Sequence, residues 1–189
     1  MNRAPKLFIG FFIIAVCSNC FSRGWADALI SLDEALKQIY KNAQDFHKKT
    51  IVLTSQQIRQ IETGAAITFE GSHADTVKVY VAYENGKPAG YAFEDTVIGK
   101  WGPIHYLLGL DPQGTVLDTI ILDYQEIRGK PIAKKRFLRQ YKGKTSRHAV
   151  QLQKDIDGVT GATISSRSLT DGIRKILHTY HLIQPALVQ

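Results

Sequence analysis

The chain has 189 residues, with 24 Lys plus Arg against 17 Asp plus Glu, for a formal charge of +7. That length suits one domain of ordinary size, and a composition of 44% hydrophobic and 22% charged residues excludes both a disordered chain and a bundle of membrane helices. Cys17 and Cys20 are the only cysteines, too few for a disulfide scaffold.

Residues 1–28 read as an export signal. Arg3 and Lys6 precede an apolar stretch from Leu7 to Val16, and Ala26-Asp27-Ala28 has the form of a cleavage site. The stretch is about ten residues long, short of the roughly 20 that a stable spanning helix needs, so a retained anchor is the second reading. Cys17 and Cys20 have redox-pair spacing without strand-helix context, and Val16 and Asn19 before them are not the small residue of lipoprotein processing. Cleavage after Ala28 leaves a mature chain without cysteine, which suits a periplasmic or other extracytoplasmic, oxidising compartment.

Ser31 and Glu34 form a capping-box pattern, and Leu32, Leu36, Ile39, Ala43 and Phe46 follow at helical spacing. A second helix is expected from Ser55 to Glu62, stopped by Gly64. The period then changes to two at Val77, Val79 and Val81, with Asn85-Gly86 as a hairpin turn and a returning strand through Gly90, Tyr91 and Phe93. Ile104–Leu110 and Val116–Leu122, joined by Asp111-Pro112-Gln113-Gly114, make a further strand pair. From Arg128 to Lys154 there are ten cations and no acid. Its centre, Ala133 to Tyr141, reads as a helix with Phe137, Leu138 and Tyr141 inward. A last helix carries Leu169, Ile173, Ile176, Leu177 and Tyr180 on one face, and Gly172 within it asks for a close backbone contact. Helices around consecutive strands, without β-α-β alternation, give an α+β single domain: a mostly antiparallel sheet with flanking helices, preceded by a signal peptide. We divide it into a helical segment over 29–66, a main domain over 67–180 and a tail over 181–189.

Between the basic run and the last helix stands Asp157-Gly158-Val159-Thr160-Gly161-Ala162-Thr163, followed by Ile164-Ser165-Ser166. Small residues here make a tight entry turn, and Thr163, Ser165 and Ser166 are each candidates for the helix cap. Helix N-terminal amides also favour an anion, so a phosphate near Thr163 would be well placed. A capped helix with no ligand explains the same residues.

The run Asp157 to Thr163 resembles the D-x-x-[S/T]-G-A-T flavinylation motif of the FMN-binding domain family, which includes flavin subunits of sodium-pumping NADH:quinone reductase and of the Rnf complex. The resemblance covers about Ile67 to Leu177. It implies FMN joined covalently to Thr163 by a phosphodiester, installed by a periplasmic FAD-dependent flavin transferase, and an electron-carrying role beside a membrane cytochrome or quinone-linked redox partner. It also implies that Asp157, Thr160, Gly161, Ala162 and Ser165 shape the attachment loop. Glu126 and Gly129 resemble the segment that approaches the flavin ring, although Ile127 replaces a threonine of the pump subunits and Tyr124 a frequent histidine. Trp101, Gly102 and Tyr124 are further candidates for the ring wall; for Trp101 an ordinary core aromatic is an equal reading. On this implied role the threonine is an attachment point, and no residue is assigned as catalytic.

With residues 1–28 removed, 21 cations stand against 16 acids, and outside the basic segment 11 cations face those same acids. The basic run could track phosphates, but an exported chain has little access to nucleic acid, so none is expected as a partner; an acidic redox partner, anionic headgroups or a solvated face fit better. Two rival functions are a flavin-dependent reductase of a small substrate and a non-redox exported binding domain.

Overall fold

The computed structural model describes residues 29–68, 75–124 and 130–187. The export signal, and the ring contacts expected of Glu126 and Gly129, lie outside the described residues. Helix α1 spans Leu32–Ile39 and starts at the expected capping box: the Glu34 N–H donates to Ser31 Oγ at 3.3 Å and the Ser31 N–H to Glu34 Oε2 at 3.1 Å. The helical spacing predicted through Phe46 is a correction, because α1 stops at Ile39 and Asp45–Val52 form strand β1. Pairing with a neighbouring strand overrides the local pattern there, and β-branched Thr50, Ile51 and Val52 suit an extended backbone.

Helix α2, Ser55–Ala65, runs past its expected stop. Ala66 ends it in a left-handed conformation with φ 50°, while Gly64 lies inside and faces α4, where a Cβ would stand 2.8 Å from His178 Nδ1. Strands β2 (Thr76–Glu84), β3 (Lys87–Ile98), β4 (Pro103–Leu110) and β5 (Val116–Tyr124) follow the predicted order. The β2–β3 turn has left-handed Asn85 and Gly86, as its sequence requires. All neighbours pair antiparallel in the order β1-β2-β3-β4-β5, a five-stranded meander.

Both faces of the sheet are covered. On one, Ala35, Leu36 and Tyr40 pack against Tyr80, Ala82, Ala92, Leu107, Ile120 and Leu122. Tyr40 locks this layer: its hydroxyl donates to the Leu110 carbonyl at 2.9 Å and accepts the Leu110 N–H at 3.0 Å. The other face carries the larger core under α2, the basic segment and α4. The last helix, α4, spans Thr163–Leu187, and its predicted stripe of Leu169, Ile173, Ile176, Leu177 and Tyr180 is buried. Each such side chain contributes about 1.5–3 kcal/mol of hydrophobic stabilisation. Gly172 is where α4 crosses the sheet, and a Cβ there would lie 2.6 Å from both Tyr106 Oη and Val97 Cγ1. The basic segment is less regular than its pattern suggests: 3-10 turns at Lys130–Ala133 and Arg139–Tyr141 flank helix α3, Lys135–Leu138. Phe137, Leu138 and Tyr141 point inward as expected, and the Tyr141 hydroxyl meets Thr170 Oγ1 at 2.8 Å.

Candidate functional site

Thr163 is the first residue of α4 and is exposed. The expected serine or threonine cap is a second correction. The Ser166 N–H bonds back to the Ala162 carbonyl at 2.8 Å, so Ala162 occupies the cap position and the serines are used elsewhere. Ser166 Oγ accepts the Val159 N–H at 3.2 Å and closes the entry turn. Ser165 Oγ accepts the Lys100 N–H at 3.2 Å. Gly161 takes φ 82°, a conformation that a side chain strains, and it and Thr160 are exposed while Ala162 is buried.

The start of the motif is held from the basic segment. The Asp157 N–H donates to Gln140 Oε1 at 2.7 Å, and Gln140 Nε2 donates to the Asp157 carbonyl at 3.1 Å. This two-point grip takes both backbone groups of Asp157 and leaves its exposed carboxylate outside the bond. Lys144 Nζ pairs with Asp155 at 3.0 Å just upstream. Burial acts to raise the Asp155 carboxyl, but the Gln151 N–H, Lys144 and the Val150 N–H outweigh it and hold the group below its ordinary value. Sequence reasoning did not single out Gln140, because 17 residues separate it from Asp157 and no local pattern announces such a contact.

A cleft of about 550 Å³ opens beside the loop, walled by Lys134, Arg136, Phe137 and Gln140 on one side and residues 157–160 on the other. That is within the usual range of ligand sites, roughly 300–1,000 Å³. Two cations and an aromatic edge suit a planar, anionic molecule, so the residues lining this cleft fit an FMN beside the loop.

The bond from Lys100 to Ser165 brings the β3–β4 turn against the first turn of α4. Trp101 in that turn is 58% exposed, with Lys100 Nζ 5.0 Å from its ring centroid, which rules out the core-aromatic reading. Tyr124 ends β5 opposite Ile104, partly buried and packed on the core. Since β3 pairs with β4 from Ile98 and Pro103 onward, Trp101, Gly102, Tyr124 and Thr163 all gather at one end of the sheet. Among the described residues, Trp101, Gly102 and Tyr124 thus lie at the same end of the sheet as Thr163.

Residues 99–178 match the FMN-binding domain. The chain is 31% identical over 104 residues to one component of a proton-translocating ferredoxin:NAD(+) oxidoreductase complex from Clostridium ljungdahlii, covering 51% of this chain and 56% of that protein. Against a component of an ion-translocating oxidoreductase complex from Stutzerimonas stutzeri it is 25% identical over 123 residues, covering 59% and 54%. The chain therefore spans about half the length of the curated relatives it matches. Among solved structures, a component of the Na(+)-translocating NADH-quinone reductase from Parabacteroides distasonis has a TM-score of 0.52 at 18% identity, with 82% of this chain and 84% of that one covered. NqrC from Shewanella oneidensis has a TM-score of 0.50 at 13% identity, with 80% and 87% covered. At these identities the two structures show a shared fold.

Proposed function

Residues 99–178 form a domain of the FMN-binding family, and from that premise we propose that this is an exported flavoprotein whose FMN is joined by a phosphodiester to Thr163 and carries electrons between redox partners at or near a membrane. The observation that carries the reading is the attachment loop. Thr163 ends the motif with its side chain exposed at the head of a 25-residue helix, and Gln140, Ser165 and Ser166 hold the residues around it in one shape.

Attachment on this reading is a phosphoryl transfer performed by a separate transferase. The Thr163 hydroxyl loses its proton and bonds to the FMN phosphorus of FAD, the pyrophosphate bond breaks, and AMP leaves. Gly161 and Ala162 offer little bulk to the approaching enzyme. The diester keeps about one negative charge, which the head of α4 favours by about 0.3–1 kcal/mol. A tether keeps the flavin at high effective concentration where loss by dilution is the alternative. When bound, FMN supplies reversible electron transfer. Lys134 and Arg136 at the cleft would favour a negatively charged, reduced flavin, and Trp101 would offer a face for the ring. The relatives named as subunits of ion-translocating oxidoreductase complexes support a membrane redox partner.

Co-expression with a flavin transferase tests the proposal through the intact mass. Wild type is expected to gain one FMN and Thr163→Ala none. If wild type gains nothing while a known acceptor in the same cells is loaded, the covalent reading fails.

A further inference from the structure

The cations of the basic segment are divided between two sides of the fold. Lys134 and Arg136 face the cleft beside the motif, whereas Lys135, Arg139 and Lys142 border a second groove of about 560 Å³ along the outer edge of β5. The chain crosses that edge at both ends of the groove. At one, the Leu29 N–H donates to the Leu122 carbonyl at 2.9 Å; at the other, the Gly143 N–H donates to the Val116 carbonyl at 2.8 Å. Between the crossings, Ile120, Ile121 and Leu138 form an apolar floor.

Two observations point to a ligand. The three cations are exposed and form no ion pair among the described residues. Thr119, which lines the groove, is only 2% exposed, yet its hydroxyl has no hydrogen-bond partner among the described residues. A buried hydroxyl without a partner is costly and uncommon. Asp118, the one carboxylate among the described residues of the groove, accepts the Thr119 N–H at 2.8 Å, so three cations face a single acid there. We propose that this groove binds the phosphate-bearing headgroup of an anionic phospholipid, with Lys135, Arg139 and Lys142 around the phosphate, the Thr119 hydroxyl bonded to the headgroup, and the first acyl carbons over Ile120, Ile121 and Leu138.

A lipid answers the groove better than a free anion because Ile120, Ile121 and Leu138 put hydrocarbon beside the cations, and better than an acidic strand because the chain crossings leave a short opening. The site does not depend on flavin and stands or falls separately from the function proposed above.

The test is partition of the full chain onto vesicles of phosphatidylcholine, alone or mixed with phosphatidylglycerol. The apolar run Leu7–Val16 adds equally to both, and the leader cations Arg3, Lys6 and Arg23 are the same in every variant, so the change in the ratio from wild type reports the groove. Wild type is expected to prefer the anionic vesicles, with about a hundredfold of that preference due to the three groove cations, since each cation near such a surface contributes about fivefold. Combined Lys135→Gln, Arg139→Gln and Lys142→Gln should lower that preference about a hundredfold from the wild-type value, and combined Lys134→Gln and Arg136→Gln should keep it within about twofold. Thr119→Val preserves the shape and removes the hydroxyl; it should cut the preference several-fold while the melting temperature of the lipid-free chain holds or rises. Equal losses from the two charge sets, or an unchanged preference in Thr119→Val, would mean diffuse attraction and overturn the site. So would absence of any preference, or soluble glycerol phosphate binding as tightly as the vesicle.

Discussion

Gln140 and Gly172 show what a single residue decides. Replacing Gln140 by Ala removes both bonds to the Asp157 backbone, each worth about 0.5–1.5 kcal/mol and less where exposed. Gln140→Ala should therefore fold with a modest loss of stability but accept FMN more slowly, read as the rate of mass gain with the transferase. A loop loading at the wild-type rate would show that the grip is only structural. Gly172→Ala should behave in the opposite way from a usual helix substitution. Alanine gains about 1 kcal/mol of propensity, but its Cβ would press on Tyr106 and Val97 at 2.6 Å, a crowding that costs about 1–3 kcal/mol. A lower melting temperature is expected; a higher one would mean that α4 moves away freely. Thr163 was legible in the sequence because its motif is contiguous, and Gly172 because helix interiors rarely tolerate glycine without a packing reason. Gln140 was not, since its meaning comes from a contact made only after folding.

The elements divide along the same line. Strands β2 to β5 were readable because alternation and turn residues agree, and α4 because its apolar stripe is long. β1 was not, because Lys48 and Lys49 interrupt its alternation and the preceding helical spacing runs into Phe46; its partner β2 decides its conformation. The α2–α4 contact carries a pH dependence. Burial foremost, then the charges of Arg174 and His181, push the His178 imidazole below its ordinary value of 6.5. The unfolded chain then takes up a proton that the folded chain resists, so this part of the stability is present above the ordinary value and falls as pH drops below it. Thermal unfolding between about pH 7 and pH 5 should show that fall, and His178→Phe, which keeps a ring against Gly64, should reduce it. An identical slope in both proteins would assign the dependence to other groups.

For the whole molecule, residues 29–66 are structural partners of the rest: α1 covers one sheet face, β1 pairs along β2, and α2 packs on α4. A chain beginning at Ile67 would expose the hydrogen-bonding edge of β2 and the apolar face under α1, and such edges invite association. We expect it to aggregate or melt well below the full chain on size-exclusion and thermal assays; a monomer of unchanged stability would make the N-terminal segment dispensable. The charge map also changes meaning at this scale. A chain basic by its overall sum owes its excess of cations to one segment, whose lysines and arginines line two separate clefts, a division that residue counts alone do not reveal. The loop over residues 157–163, in turn, owes its form to neighbours outside it: Gln140 from the basic segment, Ser166 from the helix, and Ser165 through the β3–β4 turn. A peptide tag copied from residues 157–163 into another protein would inherit the spelling without the scaffold, so any labelling of such a tag would measure how far the transferase itself can mould a pliable acceptor.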